Sequence, residues 1–255
     1  MAAAKEIQAL ARLIRESART LALTGAGIST ASGIPDFRSR GIGRWEKVDP
    51  MEVSSVQAFQ RDPAAFWRYN LKWWLEFADA EPNPAHHVLA ALERRELLQG
   101  VITQNVDGLH IRAGSQTWEV HGHLRTCRCL GCGGRHEFTF LVEQFQAGKN
   151  PPRCPCGALL RPDVVLFGDM LGDAFEQAVQ VLHGCPLLIV VGSSLQVYPV
   201  AALPRLAHRF VIINRDPTPW DDQAALILRG DIVQVFEELA AELGFSDFRC
   251  SLGRC

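Results

Sequence analysis

The sequence predicts an α/β fold in which helices cover both faces of a doubly wound parallel sheet. One observation is a set of short apolar runs without polar alternation, which predict buried strands at 20–24, 101–103, 187–191 and 210–213. The other is a set of segments with apolar residues at helical spacing, at 5–18, 85–98, 173–183 and 231–243. Helices that separate short buried strands are typical of a parallel sheet with two covered faces.

The composition excludes several classes of protein. A chain of 255 residues that is 47% hydrophobic can fill one large domain or two small ones. With 26 Lys and Arg against 28 Asp and Glu, the net charge is −2, so we expect no specific nucleic-acid partner. No apolar stretch approaches the roughly 20 residues that cross a bilayer, so we expect no membrane partner. Charged Lys5, Glu6 and Arg12 stand where an export signal needs apolar residues, and we expect a cytoplasmic protein.

Two segments interrupt the alternation of strands and helices. Residues 41–80 contain an aromatic-rich stretch at 66–74 and predict a small helical module. Residues 125–160 are rich in Gly, Pro and Cys. They contain too few apolar residues to form a core without a stabilising cross-link such as a bound metal. Residues 246–255 predict a frayed tail.

The cysteines of the second segment predict a metal centre. Cys129 and Cys132 form a Cys-x-x-Cys pair, and Cys154 and Cys156 follow after 21 intervening residues. Four thiolates suffice for a closed tetrahedral Zn²⁺ site, and such a site has a structural role because no position is open to water. Cys127 is a fifth sulfur two residues upstream, so the ligand assignment stays open between the five cysteines.

A glycine-rich turn follows the first predicted strand. Gly25 and Gly27 would let backbone amides approach a phosphate, and a helix beginning near Ile28 would add its partial positive charge. Gly33 and Pro35 end any such helix within two turns, whereas an ordinary dehydrogenase helix would continue along the sheet. The turn therefore predicts a dinucleotide held in a different way from that of a dehydrogenase, although a plain strand-to-helix turn is the alternative.

Polar side chains follow the strand at 101–103. Gln104, Asn105 and Asp107 lie beyond the carboxyl end of that strand, where parallel sheets bind ligands. They can bond ribose hydroxyls and position a water, and capping of the next helix is the alternative function. Because the cysteines suffice for zinc, His121 is available as a base.

Taken in order, these motifs resemble the sirtuin family of NAD-dependent protein-lysine deacylases, of bacterial or archaeal type. The resemblance covers roughly residues 5–243 and rests on Gly25–Ser29, Gly33–Arg38, Thr103–Asp107, His121-Gly122, the cysteine pairs and Gly192–Leu195. It implies one catalytic domain over 1–255, with a Rossmann-like NAD-binding body and a smaller domain made of the zinc and helical modules. NAD and an acyl-lysine protein or peptide would meet in the cleft between them.

The resemblance also implies roles for individual residues. His121 would be the general base, with Asn105 and Asp107 as further catalytic residues. NAD would be bound by Gly25, Ala26, Gly27, Ser29, Asp36, Phe37, Arg38, Gln104, Asn105, Asp107, His121, Gly192, Ser193, Ser194 and Asn214. An acyl-lysine peptide would add as a strand against Val164, Val165, Phe167, Gly168 and Val197.

The implied reaction transfers the acyl group from lysine to ADP-ribose and releases nicotinamide. The branch of the family that removes succinyl or malonyl groups carries a Tyr and an Arg three residues apart, where Asn70 and Trp73 stand in this chain. We therefore expect an apolar acyl group, acetyl first, with longer chains also accepted. Asp169 stands where the family usually has Glu, and the sequence alone gives no reason for it.

Three other functions compete with this interpretation. A mono-ADP-ribosyltransferase or an NAD glycohydrolase would need the same NAD site, although His121 and the peptide edge favour a deacylase. A hydride-transferring dehydrogenase would use Glu46, about 20 residues beyond the glycine turn, but no second strand precedes it. A zinc-dependent interaction module would leave the polar clusters unexplained. The sequence predicts neither the oligomeric state nor the protein substrate.

Overall fold

The computed structural model describes residues 4–36, 48–76 and 78–245. The fold is α/β, and all strand pairs of its main sheet are parallel, which confirms the predicted fold class. Within these ranges the strands are β1 (Thr20–Thr24), β2 (Val101–Thr103), β3 (Thr117–Glu119), β4 (Gly122–Cys129), β5 (Arg135–Glu137), β6 (Leu160–Val164), β7 (Leu187–Val191), β8 (Phe210–Ile213) and β9 (Leu226–Leu228).

Helices separate most of these strands. They are α1 (Ala4–Glu16), α2 (Pro50–Val53), α3 (Val56–Arg61), α4 (Pro63–Leu75), α5 (Pro84–Arg94), α6 (Leu109–Arg112), α7 (Phe138–Gln146), α8 (Asp173–Leu182) and α9 (Ile232–Glu242). Short 3₁₀ helices lie at Ala26–Ser32, Val200–Leu206 and Asp221–Gln223. Over the described ranges, none of the helices has the length and apolar character that a membrane span requires.

The strand order of the main sheet is β3-β2-β1-β7-β8-β9. The chain starts in the middle at β1, builds β2 and β3 on one side, and later returns through β7 to build the other side. Thr24 at the end of β1 pairs with Val191 at the end of β7, so the connections diverge at this point. A parallel sheet opens a crevice at the carboxyl ends of its strands where the order reverses.

Both faces of the main sheet are buried, because apolar side chains of its strands point to both sides. All residues of β1, β7 and β8 are buried. On one face α1, α5 and α9 pack against the sheet, and α1 contributes Ile7, Leu10 and Ile14 at helical spacing. On the other face lie α8 and the 3₁₀ helix at 200–206.

The predicted helix at 85–98 is wrong at its carboxyl end, since α5 ends at Arg94. Glu96 has a left-handed φ of 59°, and the Leu97 amide donates to the Leu92 carbonyl, so the chain turns there. Leu98 still packs in the core beyond the helix. Apolar spacing therefore continued past the last helical residue and extended the prediction by four positions.

The two interrupting segments pack together into one small domain. One consists of α2, α3 and α4, and the other of α7 and an antiparallel sheet of order β5-β4-β6. They share a single core, in which Phe66, Trp67 and Trp74 of α4 lie with Leu141 of α7 and Leu160 of β6. The aromatic rings meet edge to face, which adds to the stabilisation from apolar burial.

Candidate active site

A cleft of about 890 Å³ lies at the carboxyl ends of the central strands, against the small domain. This volume is in the range of cofactor sites. Most of the predicted site residues line it: Gly25, Ala26, Gly27, Ser29, Asp36, Gln104, Asn105, Asp107, His121, Val164, Val165, Phe167, Gly168, Gly192, Ser193, Ser194, Val197 and Asn214. Of the residues predicted to bind NAD or peptide, the other two, Phe37 and Arg38, lie outside the described residues, and the four predicted zinc ligands lie away from the cleft.

The glycine turn crosses the end of β7 at very short range. The Gly25 amide donates to the Val191 carbonyl at 3.0 Å, and the Gly27 amide donates to the Gly192 carbonyl at 2.9 Å. A Cβ atom on Gly27 would lie 2.7 Å from the Gly192 Cα. The helix that follows is a 3₁₀ turn at 26–32 that ends at Gly33, whose φ is 85°. Backbone without side chains therefore faces the cleft on both sides of the strand switch, which fits a pyrophosphate.

We predict that Gly27→Ala raises KM for NAD about fivefold or more, because overpacking of about 1–3 kcal/mol must displace the backbone at Gly192. Gly172→Ala is the control, since a Cβ there meets no atom within 4 Å. Steady-state kinetics with varied NAD measure both. An unchanged KM in the Gly27 variant would show that the close crossing does not shape the cofactor site.

A buried hydrogen-bond network holds the turn against the polar residues after β2. The Asn105 side-chain amide donates to the Gly25 carbonyl at 3.2 Å and to Ser29 Oγ at 3.1 Å. Ser29 Oγ donates to Asp107 Oδ2 at 2.7 Å, and the Leu109 amide donates to Asp107 Oδ1 at 2.9 Å. Burial raises the pKa of Asp107, and these hydrogen bonds oppose that rise. The Asp107 carboxylate thus binds the first amide of the next helix with one oxygen and holds Ser29 at the cleft with the other.

His121 is placed between the two halves of the cleft. Its Nδ1 lies 3.1 Å from the Gln104 carbonyl oxygen. Because a carbonyl only accepts, the proton of a neutral ring sits on Nδ1, and Nε2 keeps its lone pair. Burial lowers the pKa of His121 below its ordinary value of 6.5, against the weaker opposite effect of the Gln104 contact. The imidazole is therefore neutral at pH 7 and able to accept a proton at Nε2.

This lowered pKa predicts the pH dependence of the reaction. The active form is the neutral ring, which is lost as the pH falls through the pKa of His121, so kcat/KM should decline only below pH 6.5. From pH 7 upward His121 should cause no further change. A pH profile of kcat/KM for NAD measures this, and an acid limb centred above 6.5 would contradict the neutral, buried base.

Residues that follow β7, β8 and β9 line the far end of the cleft. Gln104 Nε2 donates to Ser193 Oγ at 2.9 Å, which links the polar run to the loop after β7. Asn214 follows β8, and its side-chain amide donates to the Asp216 carbonyl at 2.7 Å. Sequence reasoning missed the contribution of residues 230–233, which also line the cleft. The missing signal was β9, a strand of only three residues whose carboxyl end leads into them.

Asp169 braces the segment from Val164 to Gly168, which the sequence predicts as a peptide-binding edge. Its Oδ2 accepts from the Leu166 amide at 2.7 Å and is ion-paired with the Arg161 guanidinium. The Asp169 amide donates back to the Leu166 carbonyl at 2.9 Å, across a turn in which Gly168 has a φ of 90°. A short carboxylate at this position therefore fixes the turn that ends the edge from Val164 to Gly168.

We predict that Asp169→Ala raises KM for the peptide at least about tenfold and leaves KM for NAD unchanged, because a charged hydrogen bond is worth about 1.5–3 kcal/mol. Asp169→Asn is the matched variant. It keeps an acceptor for the Leu166 amide and should lose less. Equal effects on the two KM values would argue against a local role at the peptide edge.

The part of the cleft formed by the small domain combines two tryptophans, Trp73 and Trp74, with two uncharged polar residues, Ser54 and Asn70. The Asn70 amide is committed internally, since it accepts from Ser54 Oγ at 2.9 Å and donates to the Val53 carbonyl at 2.7 Å. Among the described residues that line the cleft, Arg215 is the only one with a Lys or Arg side chain, and it lies after β8. This part of the lining therefore fits an uncharged group.

The four predicted zinc ligands come together at one end of the small domain. The sulfur atoms of Cys129, Cys132, Cys154 and Cys156 all lie within 4.8 Å of one another. The Cys129–Cys156 and Cys132–Cys154 sulfur pairs are 3.4 and 3.7 Å apart. Sulfur atoms around a tetrahedral Zn²⁺ lie about 3.8 Å apart, given a bond of about 2.3 Å. The four thiols therefore fit a closed structural Zn²⁺ site.

The structure separates Cys127 from this cluster. Cys127 is fully buried in the small-domain core. Its sulfur is not among the four that lie within 4.8 Å of one another, so the geometry leaves Cys127 outside the metal centre.

The fold and the site together define a class of protein: an enzyme that binds a dinucleotide at the switch point of a parallel sheet and carries a structural four-cysteine metal centre. The model of the Sir2 family matches residues 25–199. The NAD-dependent protein deacetylase 2 of Caldanaerobacter subterraneus is 48% identical over 86% of this chain and 88% of its own length. The NAD-dependent protein deacetylase of Sulfolobus acidocaldarius is 40% identical over 91% of this chain and 92% of its own. The chain belongs to the Sir2 family.

Solved structures agree with this assignment. A Sir2 structure with a p53 peptide and NAD⁺ has a TM-score of 0.86 at 37% identity, covering 94% of this chain and 99% of that one. A Sir2 variant with a deacetylated p53 peptide and 3′-O-acetyl ADP-ribose has a TM-score of 0.90 at 38% identity, covering 94% and 100%. The similarity thus includes both the main sheet and the small domain.

Proposed function

We propose that this chain is an NAD-dependent protein-lysine deacetylase that, with one water consumed, transfers the acetyl group of lysine to ADP-ribose and releases nicotinamide and free lysine. The observation that carries the proposal is the position of a neutral His121 in the same cleft as the glycine turn and the predicted peptide edges. Relatives named as NAD-dependent protein deacetylases support it. So does the solved Sir2 protein bound to an acetylated peptide.

In this proposal NAD, when bound, supplies the ADP-ribosyl group whose bond to nicotinamide is broken. The backbone of Gly25, Ala26 and Gly27 lets the pyrophosphate approach closely, because no long side chain lies on this turn, and Ser193 and Ser194 approach from the opposite loop. Asn105 keeps the glycine turn in place through its bonds to Gly25 and Ser29. Gln104 and Asn214 serve the two riboses. This arrangement fixes the reacting sugar beside His121 and so reduces the entropy cost of the reaction.

His121 acts as the general base. Its Nδ1 proton is held by the Gln104 carbonyl, and Nε2 removes a proton from a ribose hydroxyl. Asp107 acts through position, because both carboxylate oxygens are engaged by the Ser29 hydroxyl and the Leu109 amide. We therefore assign proton transfer to His121 and orientation to Asp107.

The acyl-lysine peptide enters between two edges of the cleft. Val164, Val165, Phe167 and Gly168 form one edge, and Val197 lies on the other. Backbone pairing would hold the peptide as an added strand, with the acyl-lysine pointing toward His121. Trp73 and Trp74 give an apolar end to this space. We also expect a cytoplasmic location, since four metal-binding thiolates favour a reducing compartment.

The test of the substrate class is turnover of three peptides of one sequence, carrying acetyl-, propionyl- or succinyl-lysine, with NAD present. We expect turnover of the first two and a rate at least about 100-fold lower for the third, because burying an unpaired carboxylate costs several kcal/mol. Succinyl-lysine turned over as fast as acetyl-lysine would overturn the acyl assignment. Consumption of NAD without loss of any acyl group would favour the glycohydrolase or ADP-ribosyltransferase.

A further inference from the structure

Two buried histidines lie beneath the cleft, where the proposed reaction does not use them. His110 on α6 is 2% exposed, and His86 on α5 is fully buried. Their rings are 4.7 Å apart between centroids and tilted by 56°. Burial lowers the pKa of His110 to about 3 and that of His86 to about 2, so both rings are neutral at neutral pH. Neither is among the residues that line the cleft.

His110 is connected to the floor of the cleft by two threonine hydroxyls. Its Nε2 lies 2.9 Å from Thr24 Oγ1, and Thr24 Oγ1 donates to Thr103 Oγ1 at 2.8 Å. Thr103 Oγ1 also accepts from the Asn105 backbone amide at 3.1 Å. Thr24 and Thr103 are the last residues of β1 and β2 and face each other in the parallel register. The hydroxyl pair therefore ties the glycine turn to the polar run at the point where each leaves the sheet.

The direction of these hydrogen bonds fixes the His110 ring. With Thr24 Oγ1 as the donor to Thr103 Oγ1, the His110 ring donates its Nε2 proton to Thr24. Nδ1 of His110 then carries a lone pair. Among the described residues this atom has no hydrogen-bond partner.

His86 has the complementary arrangement. The Asn83 amide donates to His86 Nδ1 at 3.3 Å, which places the proton of the neutral ring on Nε2. That Nε2 is likewise without a hydrogen-bond partner in the described part of the chain. Asn83 also donates to the Ile28 carbonyl at 2.8 Å and to Ser32 Oγ at 3.0 Å. The same cluster thus supports the far end of the 3₁₀ turn.

We propose that His110 is a positioning residue for the NAD site: through Thr24 and Thr103 it sets the spacing between the glycine turn and the run from Gln104 to Asp107. This inference rests on the proposed function for its kinetic test. A well-packed apolar residue would fill the same space without leaving buried polar atoms unpaired, and unpaired buried polar atoms are destabilising. The hydroxyl chain ends directly at Asn105 and next to Gln104, the residues that hold Ser29 and His121.

Two isosteric substitutions on one strand test the proposal. Thr24→Val removes the hydroxyl that joins His110 to Thr103. Thr20→Val is the matched control, since Thr20 is equally buried at the opposite end of β1 and its hydroxyl has no partner in the described structure. His110→Leu and His110→Gln form a second pair, because the glutamine amide can still donate to Thr24. Each variant is assayed for melting temperature, kcat, and KM for NAD and for an acetyl-lysine peptide.

We expect Thr24→Val and His110→Leu to lower kcat/KM for NAD about tenfold or more while KM for the peptide stays within twofold, as for a lost hydrogen bond of ~1.4 kcal/mol. His110→Gln should restore most of the loss, and Thr20→Val should match the unmodified protein. If Thr24→Val and His110→Leu reduce only the melting temperature, with kinetic constants like those of Thr20→Val, the proposal is wrong.

Failure of the proposed function would look different. The unmodified protein would then not deacetylate the peptide, yet calorimetric NAD binding by Thr24→Val and Thr20→Val would still compare the two ends of β1. A weaker NAD affinity in Thr24→Val alone supports the positioning role, and equal affinities overturn it.

Discussion

Changing His121 to alanine is expected to lower kcat by about 100-fold to 10,000-fold, the usual contribution of a general base. The only hydrogen bond recorded for the His121 ring within the described structure goes to the Gln104 carbonyl. The glycine turn at Gly25 and Gly27 is held by other contacts. The affinity for NAD should therefore change less than threefold, which is about 0.7 kcal/mol. One zinc per chain should remain, because the cysteine cluster does not include this histidine.

His123→Ala is the control for that experiment. His123 lies two residues further along β4, is also partly buried, and does not line the cleft. The pKa of His123 is lowered as well, with burial as the main cause. His121 and His123 therefore differ mainly in their position relative to the cleft. Steady-state kinetics and calorimetry on both variants separate catalysis from binding. If His121→Ala kept the kcat of the unmodified protein, His121 would have no part in the reaction.

Removal of zinc is expected to abolish peptide deacetylation by loosening the whole small domain. Cys129 and Cys154 lie in the same core as Phe66, Trp67 and Trp74, so loss of the centre exposes aromatic residues of the helical half as well. Binding of structural zinc is coupled to folding and is worth about 10–16 kcal/mol in small metal modules. Cys156→Ala should therefore lose the metal and lower the melting temperature, while the far-UV signal of the main sheet persists.

Cys127→Ala separates metal loss from simple removal of a thiol. Cys127 is buried in the same core but is outside the four-sulfur cluster, so this variant should keep one zinc per chain and lose about 1 kcal/mol of stability. Metal content by atomic emission, near-UV circular dichroism and peptide turnover are measured on both variants. Loss of zinc from Cys127→Ala, or its retention in Cys156→Ala with full activity, would contradict the ligand set.

Much of the main sheet could be predicted because its central strands are buried on both faces and are therefore uniformly apolar. Runs such as Leu187–Val191 need no tertiary information to be recognised. The strands β3 and β9 could not be found in this way, since each has three residues and its pairing depends on neighbours distant in the chain. The contribution of residues 230–233 to the cleft was missed with β9.

The candidate site was predictable where chemistry is concentrated in short motifs. The cysteine spacing predicted a four-thiolate cluster, and the polar residues after the strand at 101–103 fall at its carboxyl end. The role of Asp169 depends on a turn and on Arg161, eight residues earlier, and only the fold brings these groups together. The shared core of the two small-domain segments and the link between His110 and Thr24 likewise join residues far apart in sequence.

The most direct test of the central claim is mass spectrometry of an acetyl-lysine peptide incubated with the zinc-loaded protein, with and without NAD. We predict loss of acetyl from the peptide only when NAD is present, with one acetyl-ADP-ribose and one nicotinamide formed for each lysine released. Conversion of NAD to nicotinamide and ADP-ribose while the peptide stays acetylated would contradict the assignment of this site to deacetylation.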